Sequence, residues 1–315
     1  MRREKIGSHS TCKEGDTLDT DYQIEKRLME LDSGLHSRYR DCVVVSQNML
    51  TRYESTFPTY TDHSALHTLE IIDLCNRLIG EQLSALTADD LYVLLMGALL
   101  HDVGMGISRR DFERFRPRLG LPHLTGPSSD LERAELIRDF HQELSALYIE
   151  RYQDLLDIPN PRYLQAVIQV CRGHRKTDLM DGEGYPAQLE VRPGRVVHLP
   201  YLAALLCLAD ELDVAADRNI GFLYDVDKVE NPVSRLEFQK HRAIRRVELE
   251  PGRVVIYAES DDPVVRDGVI QLADKLGDKL RYCRAVVAAR TGFSIAQKSV
   301  HLELSAAKED IPWAF

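Results

Sequence analysis

Apolar positions along this chain recur mostly at helical intervals. Tyr39, Val43, Leu50, Tyr53 and Phe57 mark one helix face, and Pro58 stops that segment. A further helix is expected to start at Thr61 or Asp62 and to run through His63, His67, Ile71 and Leu74. Thr87 followed by Asp90 makes a capping box. The segment it opens is apolar on nearly every side up to His101-Asp102, as in a helix at the centre of a bundle. Asn160-Pro161 forms an N-cap and first-turn pair, and Gly173 is placed to end the helix of Val167, Ile168 and Val170. His174 follows at once. The next helix, near Pro200 to Ala215, contains Asp210.

Beyond about residue 228 the period of the pattern changes. Ala243 to Leu249 and Arg253 to Ala258 read as strands around a Pro251-Gly252 turn, followed by a helix from Pro263 to Ala289 and a strand from Ser299 to Leu304. These patterns predict a mainly α fold: a flexible lead-in over 1–20, a helical bundle over 21–228 and a small C-terminal α+β module over 229–315. The change in periodicity implies that the module packs by itself and can be removed.

Composition changes this picture in three ways. With 44% hydrophobic residues in 315, the chain can bury a sizeable core and is not expected to be disordered. A formal charge of -10 disfavours a long nucleic acid as partner, because binding a polyanion needs clustered positive charge. Six scattered cysteines without a C-x-x-C pair suit reduced thiols. The longest apolar run, Leu91 to Leu100, is about half of what a bilayer crossing needs, and no apolar stretch follows the basic N-terminus. A cytoplasmic protein with no membrane partner is expected.

Candidate chemistry starts at His101-Asp102. A carboxylate at the end of a buried helix is costly unless a positive charge neutralises it, and a metal ion would. Four other candidate ligands, His67, His141, His174 and Asp210, lie on separate predicted helices or their ends. Helix bundles build metal sites from such inward-facing side chains. His63 competes with His67 one turn away, and Glu211 and Asp213 compete with Asp210.

His67 in H-T-L-E-I-I, His101-Asp102 in L-L-H-D-V-G, His141 in F-H-Q-E-L-S-A, His174 in R-G-H-R and Asp210 in L-A-D-E-L-D come in a fixed order. Together they resemble the signature of the HD superfamily of metal-dependent phosphohydrolases, over roughly residues 35 to 225. That resemblance implies an HD-type helical bundle holding two divalent transition-metal ions. His67, His101 and Asp210 would serve one ion, His141 and His174 the other, and Asp102 would bridge them. Imidazole and carboxylate ligands suit Mn, Fe, Co, Ni or Zn. The implied reaction is hydrolysis of a phosphate ester or anhydride, foremost in a nucleotide, by water activated between the two cations. Asp178 or His63 would assist proton transfer.

Arg109, in the run S-R-R-D-F-E-R-F-R-P-R, and Arg175, beside His174, are expected phosphate contacts, because Arg meets phosphate as a bidentate fork. The alternative for both is a solvated face with internal ion pairs. D-G-E-G-Y-P at 181–186 reads as a turn. It is similar to the D-G-x-G-Y-P stretch of HD-GYP cyclic-dinucleotide phosphodiesterases. Those enzymes, however, carry an adjacent His pair and a Lys after H-D-x-G, where this chain has Cys171-Arg172-Gly173-His174 and Met105. Two other readings stand beside hydrolysis. One is a di-iron oxygenase of the same superfamily, whose inositol-oxidising members carry a Lys at the place of Met105. The other is a non-catalytic nucleotide sensor, in which the C-terminal module serves regulation or a homodimer.

Overall fold

The structure, a computed structural model, describes residues 23–50, 65–125, 129–175, 177–214 and 232–306. The expected lead-in over 1–20, Pro58, the helix start at Thr61 or Asp62, and His63 lie outside the described residues. Among those described, the fold is mainly α with a small C-terminal sheet. Helices α1 (Gln23–Leu31), α2 (Ser33–Leu50), α3 (Ala65–Ile79), α4 (Ala88–Leu100), α5 (Arg109–Phe115), α6 (Ser129–Arg151), α7 (Pro161–Gly173) and α8 (Leu199–Leu212) build the bundle. Helices α9 (Pro232–Ala243) and α10 (Pro263–Arg290) belong to the C-terminal part.

Helix α4 is the axis of the bundle: every residue from Ala88 to Leu100 is buried. Its start is fixed locally, since Thr87 Oγ1 accepts from the Asp90 amide and the Asp90 carboxylate accepts from the Thr87 amide, each at 3.1 Å. Helix α8 is buried from Leu199 through Ala209. The two apolar helices pack on each other and share α7 as a neighbour. Asn160 caps α7 through its Oδ1, which accepts from the amides of Arg162 and Tyr163. The helix ends at Gly173.

One element was not expected in this helical stretch, the hairpin of β1 (Leu189–Arg192) and β2 (Arg195–Val197). Gly194 makes its turn at φ 70°. So short a ribbon is marginal alone. It is held by Arg192 and Arg195, whose Nε atoms each lie 2.9 Å from the buried Asp89 carboxylate in the first turn of α4.

In the C-terminal part, β3 (Ile244–Glu250) and β4 (Arg253–Glu259) are antiparallel, and β5 (Ser299–Ser305) runs parallel to β4 at the sheet edge. Parallel neighbours need a crossover, which α10 provides. The same helix packs on α8 as well as on the sheet. Its Val269, Leu276, Leu280, Val286 and Val287 join one apolar core with Val254 and Ile256 of β4 and with the residues of α4 and α8. Among the described residues the apolar core is shared between the bundle and the C-terminal part, because α10 buries residues against both. No single helix among the described residues is long and apolar enough to cross a membrane.

Candidate metal centre

Five elements bring polar side chains to one point inside the bundle. His67 comes from the start of α3, His101 and Asp102 from the end of α4, His141 from the middle of α6, His174 from the residue after α7, and Asp210 from the last turn of α8. All are buried except Asp210, whose side chain is 20% exposed and so marks the open side.

Hydrogen bonds fix which nitrogen of each imidazole faces inward. Nδ1 of His101 donates to the Ala98 carbonyl at 2.9 Å, Nδ1 of His141 to Arg138 at 2.7 Å, and Nδ1 of His174 to Cys171. A carbonyl only accepts, so the proton sits on Nδ1 and the Nε2 lone pair points into the cluster. Nδ1 of His67 donates to Asp213 Oδ2 at 2.5 Å, with the same result. Two pairs of Nε2 atoms then face each other, His67 with His101 at 3.2 Å and His141 with His174 at 3.0 Å. Lone pairs at that separation repel, and a cation between them turns repulsion into coordination.

Asp102 stands between the pairs. Its Oδ2 is 3.6 Å from His67 Nε2 and 3.5 Å from His101 Nε2, while Oδ1 is 3.3 Å from His141 Nε2 and 3.8 Å from His174 Nε2. Asp210 Oδ1 lies 3.6 Å from His67 Nε2 and 3.8 Å from His101 Nε2. Two groups can thus hold a metal ion: His67, His101, Asp102 and Asp210, and Asp102, His141 and His174. Their nitrogen and oxygen donors fit a first-row transition ion.

A close backbone approach makes this possible. A Cβ on Gly104 would lie 2.3 Å from the His141 carbonyl oxygen, so the turn Val103–Gly106 can press onto α6 only with glycine there. Ser145 Oγ joins the two segments, donating to the His101 carbonyl at 2.6 Å and accepting from the Gly104 amide at 2.8 Å.

Burial pushes His174 down to about 3 and moves His141 in the same direction, where the Asp102 carboxylate opposes the shift and the Arg175 charge adds to it. Burial alone would raise Asp210, but the positive charges of His174 and His101 when protonated in acid outweigh it and hold the carboxylate at about 2. All three shifts leave the folded chain with fewer protons than the unfolded chain in acid. The metal-free protein should therefore keep its full stability above about pH 6.5 and lose it as pH falls toward 3. Melting temperatures of the metal-free chain between pH 7.5 and 5 test this. A melting temperature that is flat or rises with acid contradicts it.

Asp178 and Arg109 are not among the residues of the two ligand groups. Asp178 is exposed, and its Oδ1 accepts from the Met180 amide and the Tyr282 hydroxyl, each at 3.0 Å. Arg109 is exposed and paired with Asp130 at 3.3 Å, which is the solvated-face alternative. Arg175 is partly buried, and its charge reaches His141. Sequence reasoning treated Asp213 only as a rival of Asp210. The i, i+3 spacing within L-A-D-E-L-D was the available signal, because it sets both carboxylates toward one side of the helix end. A carboxylate behind a ligating imidazole fixes its tautomer and raises its basicity.

A family model described as HD-CE matches residues 57–289, a range that contains all six clustered residues and α10 as far as Ala289. Comparison with curated proteins and with solved structures returns no match.

Proposed function

The chain belongs to the HD-CE family, and from that premise we propose that it is a two-metal phosphohydrolase acting on a phosphate ester or anhydride of a small molecule, foremost a nucleotide. The buried His/Asp groups and the family fit a metal-dependent HD hydrolase. The observation that carries the finer reading is the Asp102 carboxylate, with each oxygen turned to a different histidine pair.

Two divalent cations, when bound, supply Lewis acidity toward phosphoryl oxygens and activate a water. His67, His101 and Asp210 would hold one, His141 and His174 the other, and Asp102 both. Neutral imidazoles with inward lone pairs present no proton that must leave first. Asp213 keeps His67 in that tautomer, and Asp210 lies where the cluster opens to solvent. Arg175 adds a positive charge beside the second pair, suited to an anionic substrate. A thiol nucleophile is disfavoured. Cys171, three residues before His174, is buried, and burial pushes its thiol well above the ordinary range.

Met105 bears on the oxygenase reading. It is buried in an apolar cluster with Ile107, Phe112 and Phe115, so this position offers no cation near the His-Asp pair. That favours hydrolysis. Mn-loaded protein should release phosphate, pyrophosphate or a nucleoside monophosphate from a member of a nucleotide and phosphodiester panel without oxygen. Turnover that strictly requires oxygen would overturn the hydrolase and favour the oxygenase.

A further inference from the structure

The D-G-E-G-Y-P turn at 181–186 has no part in the chemistry above, yet two helices grip it. Asp181 shapes the turn, its carboxylate accepting from the amides of Glu183 and Gly184 at 3.0 and 3.1 Å. The Tyr185 ring is buried, and its hydroxyl donates to the Gln169 carbonyl of α7 at 2.9 Å. From the other side, α10 makes four contacts, three with residues 178–180 just before the turn and one with Tyr185 in it. Arg290 donates to the carbonyls of Met180 and Tyr185, while the Tyr282 hydroxyl accepts from the Leu179 amide at 2.7 Å and donates to Asp178 at 3.0 Å.

This turn is the far end of the loop that begins at Arg175, directly after His174. Its near end is tied by Thr177 Oγ1, which donates to the Arg172 carbonyl at 2.9 Å. The loop is therefore pinned at the proposed metal ligand on one side and at the C-terminal helix on the other. Among its described residues the cation is Arg175, which is partly buried, follows His174 directly in the chain and is held by its carbonyl, which accepts from the Thr177 amide at 2.6 Å.

We propose that Tyr282 and Arg290 are positioning residues that hold this loop so that Arg175 stays beside the His141–His174 pair and binds the phosphoryl oxygens of the substrate. The inference rests on the hydrolase reading above. It gives the C-terminal module a part in substrate binding in addition to packing.

The test uses the full-length, Mn-loaded chain, titrated calorimetrically with inorganic phosphate, with metal counted in every sample. Arg175→Ala and Arg290→Ala should each weaken phosphate by about tenfold or more, the range of one charge-assisted hydrogen bond, without loss of metal. The double variant should be little worse than Arg175→Ala alone, because both act through one guanidinium. Arg290→Lys, which keeps a donor for one carbonyl, should recover part of the affinity. Tyr282→Phe removes a single oxygen and should shift affinity in the same direction, which keeps the test valid if Arg290→Ala folds poorly. Unchanged phosphate affinity in Arg290→Ala and Tyr282→Phe, or losses that simply add in the double variant, overturns the positioning role alone. A wild-type chain that loads metal but ignores phosphate overturns the hydrolase reading and this role with it.

Discussion

Asp102→Ala is expected to strip both metal equivalents from the chain and to abolish hydrolysis. Among the described residues the Asp102 carboxylate is the only group common to both ligand sets, with one oxygen turned to each. Without it, the second set keeps two neutral imidazoles and no anion. Two unit charges 4 Å apart repel by about 4 kcal/mol at an effective dielectric of 20, and divalent ions repel by more. Loss of an outer-shell partner commonly costs about 10–100-fold in metal affinity or activity, so loss of the shared ligand should cost more than about a hundredfold. His141→Ala or His174→Ala should instead leave about one equivalent, held by His67, His101, Asp102 and Asp210. Elemental analysis of the purified variants separates these outcomes. Full metal content after removal of Asp102 would show that the centre lies elsewhere.

A chain ending at Lys228 should fail to keep its helical fold. Such a chain lacks α10, which lies along α8 and buries Val269, Leu276, Leu280, Val286 and Val287 in the common core. Five side chains of this kind contribute about 1.5–3 kcal/mol each when fully buried, which matches the total stability of about 5–15 kcal/mol for a typical domain. The cut also removes Lys275, which pairs with Glu211 at 2.8 Å beside Asp210. Circular dichroism should show lost helicity or aggregation. A cooperative melt at the full-length temperature would contradict the shared core.

What the sequence made legible was local. The Thr87–Asp90 box and the Asn160 cap each need only a few neighbouring residues, and both form as read. The all-round burial of α4 followed from its composition. Contacts between distant segments were hidden. The β1–β2 hairpin depends on Arg192 and Arg195 meeting Asp89 about a hundred residues earlier, which no local pattern announces. The two-sided burial of α10 was missed because a change of periodicity reports local structure and not which elements share a core. Asp210 and Asp213 occupy one helical turn and have the same chemistry. The placement of Asp213 against His67 Nδ1, and of Asp210 near the Nε2 atoms of His67 and His101, tells them apart.

The two-ion centre is tested most directly by anomalous diffraction from crystals of the Mn-loaded chain. Two peaks are expected, one among His67, His101 and Asp210 and one between His141 and His174, with the Asp102 carboxylate between them. A single peak, or peaks away from Asp102, would contradict it.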